Sequence, residues 1–102
     1  MKIKSGVQVG GIQPEMVLAL MVAGPILEDY GQDLVITSCT DSQHSKNSRH
    51  YIGYGLDLRS RDVQTSDISL LVDDLKLALG SEYYVAFETH HFHIQFNGSP
   101  RV

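Results

Sequence analysis

Histidine and carboxylate side chains in the second half of the chain have types and spacings that could support chemistry. His50 and Asp57 are seven residues apart, with a glycine-containing turn between them. His91 and His93 are two residues apart in an apolar run, so we expect both side chains on the same face of a strand. Glu88 precedes these two histidines by three and five residues. Three or more of these groups could therefore converge on one site.

Two histidines and an aspartate are a donor set that fits a catalytic zinc site, where water occupies the fourth position. Zinc lowers the pKa of that water towards about 7, which supplies a nucleophile at neutral pH. A nearby carboxylate, such as that of Glu88, can accept the proton of the water and pass it to a leaving amine. The alternative interpretation is that such residues are ordinary surface or core side chains. We expect that ordinary role for His44, His90 and Cys39.

Composition excludes several classes of protein. The 102 residues are 42% apolar and 20% charged, which is a balance typical of a single globular domain spanning residues 1–102. The net charge of −4 and the lack of a basic run argue against binding to nucleic acid. One cysteine permits neither an intrachain disulfide nor a cysteine-based zinc cage.

The sequence has no targeting or membrane-spanning pattern. Its longest apolar stretch, residues 16–26, is too short for a bilayer and contains Gly24 and Pro25. The first residues lack the basic and apolar pattern of a signal peptide. We therefore expect a protein made in the cytoplasm that has no membrane partner.

Two helices are predicted around apolar stripes. Pro14 suits a first helical turn, whereas Pro25, which donates no backbone hydrogen bond, should break or kink that helix. Residues 26–30 should add one more turn. Ser66 should cap the second helix, and Gly80 should end it. The apolar residues at helical spacing are Met16, Val17, Leu20, Met21 and Ala23 in the first helix, and Ile68, Leu71, Val72, Leu75, Ala78 and Leu79 in the second.

Four β-rich runs complete the pattern. Residues 34–36 predict a short central strand that reaches Ser38, and residues 51–59 predict a strand with one polar face. Residues 83–87 and 92–96 predict either a hairpin or one long bent strand. The wholly polar residues 40–49 predict an exposed loop. This order of elements indicates a small α+β domain in which two helices accompany an antiparallel sheet.

The residues that could do chemistry lie within two recognisable stretches. The stretch from Ser48 to Arg59, SRHYIGYGLDLR, resembles the motif Ser-x-His-x-x-Gly-x-Ala-x-Asp. That motif belongs to zinc D-Ala-D-Ala carboxypeptidases and related peptidoglycan endopeptidases, which share their fold with the hedgehog signalling domain. The run from Leu34 to Ser38 is similar to the strand that precedes the motif in this family.

The second stretch, ETHHFHIQ, runs from Glu88 to Gln95. It is similar to the C-terminal segment of the same family, in which an acid precedes a His-x-His or aromatic-x-His strand. The two stretches and the preceding strand cover about half of the chain in the order of the family. The resemblance implies a hedgehog-like fold and a bound zinc ion.

The resemblance also implies a role for each residue of the motifs. Zinc would be bound by His50, Asp57 and a histidine of the last segment. His93 is the expected third ligand, because relatives with aromatic-x-His keep a histidine at that place. His91 would then stabilise the oxyanion of the tetrahedral intermediate. In the alternative register, that of the dipeptidase branch, His91 is the ligand, and Glu88 is the general base in either case.

The sequence departs from the family pattern after the first strand. Many members carry an arginine there that contacts substrate, whereas residues 38–41 of this chain contain none. Arg49, Arg59 or Arg61 could supply the missing positive charge, and Arg59 shares the strand face of Asp57. A further, milder departure is Gly55, which stands where alanine is common.

These observations predict a zinc metallopeptidase that hydrolyses a peptide bond of the peptidoglycan stem. Arg59 and Ser48 are the candidate substrate contacts, with Ser48 steadying the turn of the motif. The bond could be a D-Ala-D-Ala end, an L-Ala-D-Glu bond or a cross-bridge. The small size resembles that of phage-encoded, endolysin-like members, which reach the cell wall through a holin or as a virion component. The alternative hypothesis is a non-catalytic zinc-binding module, or a structural piece of a virion, with the same fold.

Overall fold

Two helices and a five-stranded sheet form the protein, as a computed structural model of residues 1–40 and 53–98 describes it. The α+β class predicted from the sequence is confirmed. In chain order the elements are β1 (Lys2–Ile3), α1 (Pro14–Asp29), β2 (Val35–Ser38), β3 (Gly55–Arg59), α2 (Ile68–Leu79), β4 (Tyr83–Glu88) and β5 (His91–Phe96). Neither described helix is long and apolar enough to cross a bilayer.

The sheet has the strand order β1-β2-β3-β5-β4, and it is mixed rather than wholly antiparallel. β1 pairs in parallel with β2, and the other three pairings are antiparallel. A two-residue strand has no periodicity to read, so β1 was not predicted from the sequence. The hairpin interpretation of the last two strands is confirmed, and Thr89 in its two-residue turn has the positive φ (56°) that such turns require.

Helix α1 continues through Pro25 to Asp29, so of the predicted break or kink the break is wrong, and the turn expected after the proline is present as part of the same helix. Pro25 cannot donate the helical hydrogen bond to the carbonyl of Met21. Burial compensates for that loss, because Leu27, in the turn that follows, is fully buried. Burying one leucine contributes about 1.5–3 kcal/mol, which offsets much of the roughly 3 kcal/mol that a proline inside a helix costs through the lost bond and the clash of its ring.

Helix α2 begins after a short 3-10 turn over Thr65–Asp67, so Ser66 does not cap it as predicted. Asp67 occupies the cap position, with no side-chain cap hydrogen bond. Gly80, at φ 89°, ends the helix as expected. Of the predicted stripe, Leu71 and Leu75 are fully buried and Ala78 is exposed.

The hydrophobic core lies between the two helices and one face of the sheet. Alternation along the strands sends every second side chain into this core. The fully buried members include Met16 and Leu27 from α1, Leu71 and Leu75 from α2, and Leu56, Leu58, Phe92 and Ile94 from the central strands. Cys39 is also a core residue, with its Sγ 3.8 Å from the carbonyl oxygen of Gly55. The same alternation places the polar side chains of β3 and β5 on the opposite face, where no described helix packs.

Candidate functional site

Three adjacent strands bring together those predicted site residues that the structure describes, Asp57, Arg59, Glu88, His91 and His93, on the polar face of the sheet. β3, β5 and β4 lie side by side, and residues directly opposite on such strands have Cβ atoms about 4.5–5.5 Å apart. The register forms two rows across the strands, Asp57–His93–Ala86 and Arg59–His91–Glu88. The prediction that His91 and His93 share one face is therefore confirmed.

The carboxylate of Asp57 lies between the two imidazoles. Its Oδ1 is 2.9 Å from Nδ1 of His93, and its Oδ2 is 3.4 Å from Nε2 of His91. Glu88 approaches from the outer strand, with Oε1 3.8 Å from Nδ1 of His93. The side chains of Asp57 and His93 are 8% and 12% exposed, whereas that of His91 is 33% exposed. A carboxylate buried to this extent needs such partners, because isolated burial of its charge would be costly.

The surroundings of His93 act on its pKa in opposite directions. Burial alone would lower it, since a low-dielectric environment disfavours the charged imidazolium. Hydrogen bonds to Asp57 and Gln95, together with the charges of Asp57 and Glu88, outweigh burial and raise the pKa of His93 above its ordinary value. A histidine must be deprotonated to bind a metal ion, so protons and metal would compete for this ring.

Gln95 orients the ring of His93 from the side opposite Asp57. Oε1 of Gln95 lies 3.2 Å from Nε2 of His93, and Nε2 of Gln95 donates to Oδ1 of Asn97 at 2.7 Å. The ring of Tyr84 packs edge-on against the imidazole, with centroids 6.0 Å apart. Gln95 was not among the site residues predicted from the sequence, although its position two residues after His93 on the same strand puts both side chains on one face.

The chemistry of these donors fits zinc. Two atoms bound about 2.1 Å from a tetrahedral zinc ion lie about 3.4 Å apart, close to the separations between Asp57 and the two histidines. His93 also makes the second hydrogen bond that zinc-binding histidines usually make through their other nitrogen, here between its Nε2 and the side-chain oxygen Oε1 of Gln95. Within residues 1–40 and 53–98, no group of three His, Cys, Asp or Glu side chains is placed to hold a metal ion.

Several predicted residues fall outside the part of the chain that the structure describes. His50, the first expected zinc ligand, is one of them, as are Ser48, Arg49 and His44. Nearly all of the predicted polar loop, residues 41–49, lies there too. The described residues therefore supply two of the three ligands expected on the favoured assignment, together with His91 and the candidate base.

A cationic cleft of about 400 Å³ adjoins Asp57 and His91. Lys4, Arg59 and Arg61 line it, which makes this region positive although the chain has a net charge of −4. Lys4 was not predicted from the sequence as a site residue. It reaches the cleft because its backbone N–H donates to the carbonyl oxygen of Ile36 beside β2. The complete lining is Lys4, Thr37, Ser38, Asp57, Arg59, Arg61, His90 and His91.

Two hydrogen bonds fix the turn that carries Arg61. Ser60 Oγ donates to the carbonyl oxygen of His90 at 2.8 Å, which ties this turn to the β4–β5 hairpin. The buried amide of Gln32 accepts the backbone N–H of Asp62 at 2.9 Å. His90 accepts this hydrogen bond through its backbone carbonyl and also lines the cleft, so its ordinary role stays a prediction.

Comparisons with known proteins assign no family to the chain. No family model matches it, and neither a curated protein nor a solved structure does. The resemblance to peptidoglycan peptidases therefore rests on the motif residues of the sequence.

Proposed function

We propose that the protein is a zinc metallopeptidase that hydrolyses a peptide bond in the peptidoglycan stem peptide. The observation that carries this proposal is the convergence of Asp57, His91, His93 and Glu88 on the polar face of the sheet, beside a cationic cleft. Two imidazoles and two carboxylates in this arrangement include both metal donors and a candidate acid–base group.

Asp57 and His93 would hold the metal together with His50. When bound, zinc supplies a Lewis acid and a water molecule of lowered pKa. The contact of His93 with Gln95 keeps the imidazole in one orientation, which a zinc ligand needs. Because Nε2 of His91 lies 3.4 Å from Oδ2 of Asp57, a metal ion held by Asp57 would have this second histidine as its neighbour.

Glu88 is the group that would move protons. Its side chain is 48% exposed, so it can reach a water molecule on the polar face while remaining close to His93. It would accept the proton of the attacking water and return it to the leaving amine. His91, one-third exposed and opposite Glu88 in the sheet, would donate a hydrogen bond to the developing oxyanion.

The cationic cleft would bind a carboxylate of the substrate. Arg59 and Arg61 can each form paired hydrogen bonds with a carboxylate, and Lys4 adds a third positive charge. These residues would take the place of the arginine that family members carry after the first strand. A stem peptide, which bears carboxylates along its length and at its end, has the charge that this cleft requires.

The test is hydrolysis of purified muropeptides by the zinc-loaded protein. Glu88→Gln keeps the size of the side chain but cannot accept a proton, so the rate should fall by roughly 10²- to 10⁴-fold. Zinc content, measured by atomic absorption, should stay at one ion per chain in this variant. The matched control is Glu28→Gln, the same change at an exposed site on α1, which should keep the full rate.

The same experiment distinguishes the alternative hypothesis. A wild type that holds one zinc ion per chain but cleaves no muropeptide would be a non-catalytic zinc-binding module of this fold. A wild type that binds no zinc would refute both hypotheses. Equal rates in Glu88→Gln and the wild type would remove Glu88 from the mechanism and make His91 the next candidate.

A further inference from the structure

The outer edge of β4 is an open edge of the sheet among the described residues. The backbone N–H of Asn97 donates to the carbonyl oxygen of Glu82 at 2.7 Å, and the regular register continues from there along the β4–β5 pair. Backbone groups of an antiparallel strand point alternately to its two sides. The even-numbered residues of β4 therefore bond β5, and Val85 and Phe87 direct their N–H and C=O groups outward.

Nothing in the sequence of β4 protects this edge. Exposed edge strands usually carry a lysine, a proline or a bulge that prevents pairing with another chain. β4 reads YYVAFE, contains no lysine or proline, and pairs with β5 without a bulge over all six residues. Tyr84 and Phe87 are 46% and 37% exposed along it. A long, apolar and regular edge of this kind is a template for another strand.

The groove beside this edge has charges that suit a second copy of the same surface. A cavity of about 640 Å³ separates α2 from the outer edge of β4, and Asp73 and Lys76 on the flank of α2 line it. In a twofold dimer, residue i of one copy contacts residue j of the other, and the reverse contact follows by symmetry. A contact of Asp73 with Lys76 of the second copy would therefore occur twice, which makes this surface complementary in charge to itself.

We propose that two copies of the chain pair through β4 in an antiparallel, twofold dimer with one continuous sheet. Residues that face each other must point to the same side of the sheet, so the axis passes a residue rather than a point between two residues. Pairing along most of Tyr83–Glu88 then puts the axis at one of the two central residues, Val85 or Ala86. An axis at Val85 would place Glu82 opposite Glu88 of the second copy and would need the N–H of Tyr83, which already bonds Gly80 at 3.2 Å.

An axis at Ala86 avoids both problems. It pairs Val85 with Phe87 of the second copy through the outward backbone groups, and Ala86 with its own symmetry mate. It also places Tyr84 of the second copy opposite Glu88, so the partner would contribute a side chain beside the candidate base. Only this last consequence depends on the proposed peptidase function, because the dimer itself is inferred from the edge and the groove.

The main test is a disulfide across the axis. The Cα atoms of a non-hydrogen-bonded pair are about 4.5 Å apart, which is within the range of a disulfide. Ala86→Cys should therefore form a covalent dimer under mild oxidation, seen on a non-reducing gel and reversed by dithiothreitol. Lys2→Cys at the opposite edge of the sheet is the control and should remain monomeric. Cys39 is fully buried and does not interfere.

Variants that keep the fold test the noncovalent dimer by sedimentation equilibrium. Phe87→Pro removes one outward N–H but no bond to β5, and it should be monomeric with an unchanged circular dichroism spectrum. Asp73→Lys and Lys76→Asp should each raise the dimer dissociation constant roughly 2- to 30-fold, the effect of losing two exposed ion pairs. The double variant should restore the wild-type constant.

Three results would overturn the proposal. The first is a wild type that is monomeric at every concentration tested, whether or not it binds an extended peptide along β4. The second is a dimer in which Ala86→Cys crosslinks no better than Lys2→Cys. The third is a dimer whose dissociation constant is the same in the single and double charge variants. None of these results depends on peptidase activity, so the dimer can fail while the proposed function stands.

Discussion

Gly53, the glycine of the first motif, occupies a position where replacement by alanine should lower the stability of the protein substantially. Its φ is +83°, in the left-handed region that favours glycine. A Cβ added to Gly53 would overlap the carbonyl oxygen of Gly11 and would lie 3.0 Å from its carbonyl carbon and 3.2 Å from Cα of Ile12. These are backbone atoms, which cannot turn aside as a flexible side chain does.

The cost of Gly53→Ala can be estimated from two contributions. The left-handed conformation costs an L-residue about 1–2 kcal/mol. Forcing extra volume against a packed backbone adds about 1–3 kcal/mol. The carbonyl oxygen of Gly53 also accepts the N–H of Gln13 at 3.1 Å, just before α1, so a shift here would strain the start of that helix. We expect a total of about 2–5 kcal/mol out of an unfolding free energy of roughly 5–15 kcal/mol.

Gly31 provides a matched control. It has the same φ of +83°, but a Cβ added there would meet no atom within 4 Å. Gly31→Ala should therefore lose only the conformational contribution, about 1–2 kcal/mol. Urea unfolding followed by circular dichroism gives both values, and the difference between the variants isolates the contact with Gly11.

Equal destabilisation of the two variants would refute the argument from this contact. An increase in stability of Gly53→Ala would refute the conformational argument as well. If the close approach holds the motif in place, Gly53→Ala should also lower zinc content in the folded fraction, because Gly53 lies between His50 and Asp57 in the sequence.

Further predictions address the metal site, the core and the effect of pH. At zinc concentrations near 100 times the dissociation constant, the wild type should gain about 2.7 kcal/mol of stability, measured in a thermal melt. His93→Ala should lose this gain, whereas His91→Ala should keep zinc and lose activity. The reverse pattern would make His91 the ligand. Phe92→Ala should lose about 3–5 kcal/mol in urea unfolding, because this ring is fully buried between sheet and helices; a loss below 1 kcal/mol would contradict that packing. Tyr83→Phe should cost about 1 kcal/mol at neutral pH, because the hydroxyl donates to the carbonyl oxygen of Glu15 at 2.7 Å. Burial, followed by the charges of Glu15 and Glu82, raises the pKa of Tyr83 above its ordinary value of 10.0. The contribution of the hydroxyl to the free energy of unfolding is therefore present below pH 10 and is lost as the pH rises through the folded-state pKa. A stability difference between the wild type and Tyr83→Phe that stays constant above pH 10 would contradict this.

Periodic patterns in the sequence were sufficient to predict most elements and part of the site. Alternation in the last strand placed His91 and His93 on one face, because successive side chains of a strand point to opposite faces whichever strand it pairs with. The apolar stripe of the second helix and its terminal Gly80 were equally local signals. Ser66 was predicted wrongly as a cap, because nothing local indicated the 3-10 turn that precedes α2.

Other features depend on which elements pair, and no local pattern encodes that choice. Pairing between β3 and β5 places Asp57 directly opposite His93, and pairing between β1 and β2 brings Lys4 to the cleft. Both contacts join distant parts of the chain and form only when the sheet assembles around its core. Continuation of α1 through Pro25 has the same origin, since the burial that offsets the lost hydrogen bond is tertiary. The sequence by itself thus determined the donor types and their spacing along each strand, whereas the tertiary structure decided which donors meet, because contact between strands depends on the packing of the whole sheet.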